Sequence, residues 1–285
     1  MSNNFNVRSL GPLEASIVLT LVENGASVTD AREITSIVGN QIQARSAVKR
    51  LIAKGWLTRL GGRRYAIVPP NYGAENIGDY NTLALASMAE TPSYIGWWSA
   101  AAHHSFTTQV PMIIHVATTR QLPDRLINDT KIEFHRLHPR KFFGMQEVVS
   151  FGRTLRVSDR EKTVLDCVDR LDLCGGPSEA VRIVFTAAPH LDFDKLLRDA
   201  RRMESVSLLQ RLGFFLDVAE VTELSTIRDK LREDIPKSAR SRIGALERRE
   251  GDIGYIPDWN LNVNITQSQL LGNLPFGTAT RRMPA

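Results

Sequence analysis

The stretch NQIQARSAVKRLIAKGWLTRLGGRRYAIV, residues 40–68, decides how the N-terminal part of the chain folds. It carries seven Lys or Arg residues, Arg45, Lys49, Arg50, Lys54, Arg59, Arg63 and Arg64, and no Asp or Glu. Ala44, Ala47, Val48, Leu51 and Ile52 recur at helical spacing, which predicts an amphipathic helix over residues 41–54 that stops at Gly55. Residues 56–60 and 63–68 read as two strands joined by a Gly61-Gly62 hairpin turn. That order of elements is a winged helix-turn-helix, and a basic helix followed by a basic wing is the shape of a duplex-DNA reader.

Upstream, residues 12–24 form a first helix with Ser9 as a candidate cap and Leu13, Ile17, Val18 and Leu21 as its buried stripe. Residues 30–38 form a second, capped by Thr29 with Glu33 placed for a reciprocal bond, burying Ala31, Ile34 and Ile37 or Val38. On the third helix the arc opposite the apolar stripe holds Gln43, Ser46, Lys49 and Arg50, with Gln41 and Arg45 at its flank. Arg and Lys bond guanine O6 and N7, and Gln bonds adenine, so Gln41, Gln43, Arg45, Ser46, Lys49 and Arg50 are the candidate DNA-contacting residues of the helix. Arg63 and Arg64 follow the glycine turn, from where one or both reach phosphate or a narrow minor groove. The competing reading is a solvated face on a protein-binding domain, but ordinary solvated faces mix both signs of charge. Trp56 and Tyr65 are expected in packing rather than stacked on bases.

Residues 1–70 hold nine Lys or Arg against four acids, a net of +5 that equals the net of the whole chain. The remaining 215 residues therefore sum to zero, and the pI of about 9.4 comes from one local patch. A localised field points to a specific polyanionic partner. A chain of 285 residues with 42% hydrophobic content suits two globular domains. The most apolar early segment, residues 17–22, falls far short of the roughly 20 residues of a membrane span, so the chain reads as cytoplasmic with no membrane partner. Cys167 and Cys174, seven apart on one predicted helix, read as reduced structural thiols.

Pro69 and Pro70 break helix and sheet, which places a linker at residues 71–80 between the winged helix (1–70) and a larger domain (81–265) able to form its own core. Within it the pattern predicts a helix over 81–90, a short strand entering a small-residue helix over 94–106, strands over 112–118 and 132–137, and a hairpin of 147–151 with 154–157. Helices follow from Ser158, whose spacing to Glu161 matches a capping box, and over 178–187, 192–203 and 205–220. A strand at 259–265 precedes a loosely ordered tail, 266–285. The fold class is thus α+β, an N-terminal winged helix-turn-helix followed by a larger α+β domain with a small sheet and several helices.

Phosphate-binding loops, nucleophile elbows and His-based metal motifs are absent from the sequence. His103, His104, Cys167 and Cys174 lack ligand spacing, and adjacent helical histidines diverge by about 100°. Ser99 lies one helical turn from His103, but an Ala-rich helix is more simply a close-packing element. Asp166, Asp169 and Asp172 at intervals of three predict an acidic helix face, solvated by default and otherwise suited to Mg²⁺ or a basic partner. No catalytic residue, metal or cofactor is assigned, and the chain reads as a non-enzyme.

A winged helix followed by Trp98-Ser99-Ala100-Ala101-Ala102-His103-His104-Ser105-Phe106-Thr107-Thr108-Gln109, then Ile114-His115-Val116-Ala117, then Val157-Ser158-Asp159-Arg160-Glu161-Lys162-Thr163-Val164-Leu165-Asp166, then Arg211-Leu212-Gly213-Phe214-Phe215-Leu216, resembles the AbiEi antitoxins of bacterial type IV toxin-antitoxin pairs, a class of phage-defence module. The resemblance spans roughly residues 10–265. It departs at His103, where the family commonly has Leu, and at Lys162, where Arg is usual. It implies autoregulation, with two copies of the winged helix repressing the operon at promoter inverted repeats. It also implies neutralisation of a nucleotidyltransferase-like toxin by the larger domain, and leaves open whether the two proteins touch. The candidate antitoxin contact positions are Thr108, Gln109, Asp169 and Asp172. The alternatives are a ligand-responsive repressor whose C-terminal domain binds a metabolite, and a DNA enzyme that uses its winged helix for targeting.

Overall fold

The computed structural model describes residues 9–68, 86, 90, 92–127, 130–150, 153–220 and 225–274. Its N-terminal helices begin where an oxygen can satisfy free amides. In α1 (Pro12–Glu23) Gly11, rather than Ser9, is the cap, and Glu14 reaches back to accept the Gly11 N–H at 2.9 Å. In α2 (Ala31–Val38) the cap is Asp30, whose Oδ1 accepts the Arg32 and Glu33 N–H groups at 2.7 and 2.9 Å. Thr29, the expected cap, belongs instead to β1 (Val28–Asp30) and donates to Glu33 Oε2 at 2.8 Å. Asn40 caps α3 (Gln41–Ala53) through its Oδ1, at 2.9 and 3.1 Å from the Ile42 and Gln43 nitrogens.

Strands β2 (Leu57–Gly61) and β3 (Arg64–Ile67) form the wing, and with β1 they make an antiparallel sheet of order β1-β3-β2. Gly61, Gly62 and Arg63 all have left-handed backbones, with φ of 90°, 58° and 64°. The turn is thus one residue longer than the glycine pair. Arg63, expected to start a strand, sits in the turn, where its carbonyl accepts the Ala31 N–H at 3.1 Å. Ile17, Leu21, Ile34, Leu51, Leu57 and Ile67 fill the core of this part, and Trp56 and Tyr65 are buried with them, as expected.

The larger part is built on a six-stranded sheet of order β6-β7-β5-β4-β9-β8. Its strands are β4 (Ser93–Ile95), β5 (Ile113–Thr118), β6 (Arg125–Ile127), β7 (Thr130–Arg136), β8 (Met145–Ser150) and β9 (Arg153–Ser158). The β5·β7 and β4·β9 pairs are parallel and the rest antiparallel. A short helix, α4 (Trp97–His103), follows β4. Helices α5 (Arg160–Asp169), α6 (Pro177–Ala187), α7 (Phe193–Arg202), α8 (Val206–Val218) and α9 (Ser225–Glu233) come next. A second sheet has β12 (Leu261–Thr266) between β10 (Ser241–Gly244) and β11 (Asp252–Ile256). It packs on α8 at Gly213, where a Cβ would lie 2.1 Å from the Trp259 ring, so only glycine fits. The fold is α+β, and no helix among the described residues is long and apolar enough to cross a membrane.

Successive residues of a strand point to opposite faces, and apolar side chains stand on both faces of the large sheet. Tyr94 and Ala117 join the helical core with Val164, Leu165, Leu212 and Phe214. Ile95, Ile114, Val116, Ile132, Phe134, Leu155 and Val157 instead pack with Leu60 and Ala66 of the wing and with Val28. Arg125 reinforces this contact, donating to the Leu60 carbonyl at 3.1 Å with its guanidinium 5.0 Å from the Phe134 ring centroid. The winged helix and the larger part, expected to hold separate cores, therefore share a third one. The linker expected at 71–80 lies outside the described residues, as does most of the helix expected at 81–90. Where a loose tail was expected from 266, α10 (Gln267–Leu271) is capped by Thr266 and Gln269 and buries Leu270 and Leu271, while residues 275–285 lie outside the described residues.

Two predictions follow from this packing. Leu60→Ala empties part of the shared cluster and should cost about 3 kcal/mol. In urea the variant should still unfold in one transition. Separate transitions for the two parts already in the wild type would show that the cluster does not couple them. The second concerns Glu14, whose buried carboxylate also takes Arg50 Nε and Lys54 Nζ at 2.6 Å each, tying α1 to α3. Burial pushes its pKa up, but the Gly11 N–H, Lys54 and Arg50 outweigh that and hold it at about 2, below its ordinary 4.5. Because folding lowers the pKa, the stabilisation is complete above pH 4.5 and is lost as pH falls toward 2. Glu14→Gln should be less stable than wild type at pH 7, and the gap should close with acid. Parallel stability curves from pH 7 to pH 3 would refute the clamp.

Candidate nucleic-acid interface

The α3 side chains divide into two stripes. Gln41, Arg45 and Lys49, at intervals of four, face the wing and line a groove of about 870 Å³ with Arg32 and Thr35 of α2 and with Arg59, Gly62, Arg63 and Arg64 of the hairpin. Arg32 and Arg59 were not among the candidate contact residues read from the sequence, and Arg59 stands exposed between buried Thr58 and Leu60. Among the described residues no ion pair engages Arg32, Arg45, Lys49, Arg59 or Arg63, and all five are exposed. The groove's one carboxylate, Asp30, is turned to the α2 amides. Converging cations that far outnumber the one acid beside them suit a phosphate backbone.

The second stripe, Gln43, Ser46 and Arg50, faces away from that groove. Arg50 donates Nε to Glu14 at 2.6 Å and Nη1 to Ser46 Oγ at 2.9 Å, so its guanidinium is tied down within the fold and Ser46 serves as its partner. Lys54 shares the same carboxylate. Gln43 is exposed beside them. Of the eight sequence candidates the structure therefore gathers Gln41, Arg45, Lys49, Arg63 and Arg64 in one groove, and sets Gln43, Ser46 and Arg50 apart from it.

The four candidate antitoxin contacts do not form one patch. Thr108 and Gln109 are exposed on the loop after α4, with Thr108 Oγ1 accepting Arg182 Nη2 at 2.6 Å. Asp169 is half-buried, taking Lys141 Nζ at 2.6 Å and Ser205 Oγ at 3.0 Å. Asp172 is exposed and paired twice to Arg170, at 2.9 and 2.7 Å. The acidic helix face expected from Asp166, Asp169 and Asp172 does not exist, because α5 ends at Asp169 and Asp172 lies in a following 3₁₀ turn. Asp166 is buried against the ammonium of Lys162, itself fully buried, and accepts the Tyr94 hydroxyl at 3.1 Å. Lys162 also lies 5.1 Å from the Phe143 ring centroid. Burial pushes Asp166 up, and Lys162 opposes it.

Ser99 is engaged as well, donating to the Ile113 carbonyl at 3.3 Å and accepting the His115 N–H at 3.1 Å. His104 Nε2 bonds the Ser158 carbonyl oxygen at 2.7 Å. Cys167 and Cys174 are free and buried, with Cys174 beyond the end of α5 and donating to the Cys167 carbonyl at 3.4 Å. Among the described residues the metal-type donors that converge are a different set, His115, Glu133 and His135. Burial, with the neighbouring His135, holds His115 at about 4, and burial with Arg170 also holds His135 below its ordinary value. Both rings are therefore held toward the neutral form, and His115 Nδ1 and His135 Nε2 share a hydrogen bond at 3.0 Å in which one donates and the other accepts.

No family model matches the chain, and no curated protein matches it. Among solved structures it is similar to the crystal structure of the RV2827C protein from Mycobacterium tuberculosis, at 16% sequence identity and a TM-score of 0.64. The similarity covers 93% of this chain and 95% of that one, so the winged helix, the large sheet and the helices share one overall fold across both proteins.

Proposed function

We infer that the chain is a duplex-DNA-binding repressor of its own operon that also serves as the antitoxin of a type IV toxin-antitoxin pair. The observation that carries the DNA half is the groove between α3 and the wing, where Arg32, Arg45, Lys49, Arg59 and Arg63 converge beside a single acid and, among the described residues, in no ion pair. The N-terminal part of α3 enters the major groove and offers Gln41, Arg45 and Lys49 to base edges, while Arg59 and Arg63 of the hairpin straddle phosphates. Two copies bind an inverted repeat, because one winged helix reads only a short half-site. The antitoxin half is supported by the resemblance of residues 98–109, 157–166 and 211–216 to AbiEi antitoxins, with a nucleotidyltransferase-like toxin as the target.

The division of the α3 stripes gives the first test. Arg45→Ala and Lys49→Ala should each weaken binding to the operon's own promoter by about 1–3 kcal/mol and random DNA by less. Arg50→Ala should weaken it less than either, since that guanidinium is tied to Glu14 and lies outside the groove. Arg63→Gly preserves the left-handed turn, and should lower the slope of log K against log salt by about 0.9 if its one phosphate contact is lost. Fluorescence anisotropy across a salt series measures all four. A larger loss for Arg50→Ala than for Lys49→Ala would move the reader to the other stripe.

Cells carrying the neighbouring toxin gene provide the second test. A full-length Arg45→Glu/Lys49→Glu variant should lose repression of a promoter reporter yet still restore growth. Rescue that vanishes along with repression would mean that protection runs through DNA binding, and rescue by neither protein would remove the antitoxin assignment.

A further inference from the structure

The parallel register of β5 and β7 sets His115 directly opposite Glu133, and Ala117 opposite His135. Glu133 and His135 are two apart on one strand, so all three side chains stand on the same side of the sheet. His115 Nδ1 and His135 Nε2 share a hydrogen bond at 3.0 Å, and the ring that donates it must carry its proton on its other nitrogen for both to face an ion; Glu133 Oε2 lies 3.7 Å from His115 Nδ1 and 3.8 Å from His135 Nε2. The point equidistant from three atoms so spaced is about 2 Å from each, which is the length of a zinc–imidazole or zinc–carboxylate bond.

Each donor is held in place by something that is not itself a donor of the set. Glu133 gives its other oxygen, Oε1, to Lys131 Nζ at 2.6 Å, which turns Oε2 toward the histidines. The His135 ring meets the edge of Trp97 at a centroid distance of 5.0 Å. The His115 backbone is fixed on both sides, its N–H by Ser99 Oγ at 3.1 Å and its carbonyl by the Gly96 N–H at 3.1 Å. Such outer partners orient ligands in metal sites. Arg170 and Asp172 also act on the rings, but they are paired to each other and their charges offset. The three side chains are 9%, 21% and 17% exposed, sheltered yet open to an ion from solvent.

We propose that His115, Glu133 and His135 bind one divalent transition-metal ion, with zinc as the best-fitting ion and at least one coordination position left open. Two imidazoles and one carboxylate favour zinc and its neighbours over magnesium or calcium, which prefer all-oxygen sets. The site is independent of the DNA groove, which lies on the winged helix across the sheet.

The test uses the full-length protein, stripped with chelator and dialysed. Titration with Co²⁺ should give visible absorption bands that saturate at one equivalent, and Zn²⁺ should displace them. Zn²⁺ should raise the melting temperature, and Mg²⁺ at the same concentration should not. His135→Gln and the isosteric Glu133→Gln should each weaken Zn²⁺ binding by more than about 100-fold. Their melting temperatures in chelator should stay near wild type, so that a folding defect is told apart from a lost ligand. His138→Gln, a histidine outside the set, should bind as wild type does. Binding below half an equivalent would overturn the site, as would binding unchanged in both ligand variants. Loss in His135→Gln alone would reduce it to an adventitious imidazole pair and overturn the three-ligand assignment. Should Glu133→Gln or His135→Gln fail to fold in chelator, His115→Gln and extended X-ray absorption of the wild-type zinc complex decide. A spectrum without two imidazoles in the shell overturns the proposal.

Discussion

A sheet that carries apolar side chains on both faces cannot rest with either of them in water, and that requirement organises the molecule. Ile114 and Val116 face one way along β5 while Ala117 faces the other, and on β7 Ile132 and Phe134 join the first face while Glu133 and His135 stand on the second. The helices from α5 onward cover one side. The wing covers the second, contributing Leu60 and Ala66, which are fully buried. Burial of a few such side chains contributes several kcal/mol at roughly 25 cal/mol per Å² of apolar surface. The hairpin is therefore held to a rigid platform, with its back on the sheet and its tip and α3 turned outward.

Charges in the interior follow a matching rule, since a lone buried ion is too costly to keep. Glu14 is satisfied by a backbone amide and two cations, and Lys162 by Asp166 and two aromatic rings. The Glu14 cluster also changes how the basic patch is counted. Seven cations lie within residues 40–68, but two of them answer to an acid from α1 and are spoken for before any partner arrives.

Most long elements were legible in the sequence. The 3.6-residue period gave α1 to α3 and α5 to α8, and the glycine pair gave the wing hairpin. Caps were misread by one residue where two cap-forming residues stand together, as at Thr29-Asp30 and Ser158-Asp159, because local sequence does not say which of them has left the helix. Strands β1 and β6, three residues each, are too short to show alternation, and β10 and β11 lie in a stretch rich in Arg and Gly. The role of Arg50 was hidden because its partner is 36 residues away. The His115, Glu133 and His135 set was hidden for the same reason, being assembled by a parallel strand register across 20 residues. The alternation Lys131, Glu133, His135 along β7 was the visible trace of its polar face.

The docking of the wing has a consequence for synthesis. Translation delivers the winged helix first, and its own core can close as soon as β3 is complete. Its second apolar face cannot be covered then, because the residues that pack on Leu60 and Ala66 extend as far as Val157. At ordinary elongation rates that is a wait of roughly 5–20 s. During it the nascent chain presents a greasy hairpin at the ribosome, and ribosome-bound chaperones are the proteins placed to meet it first.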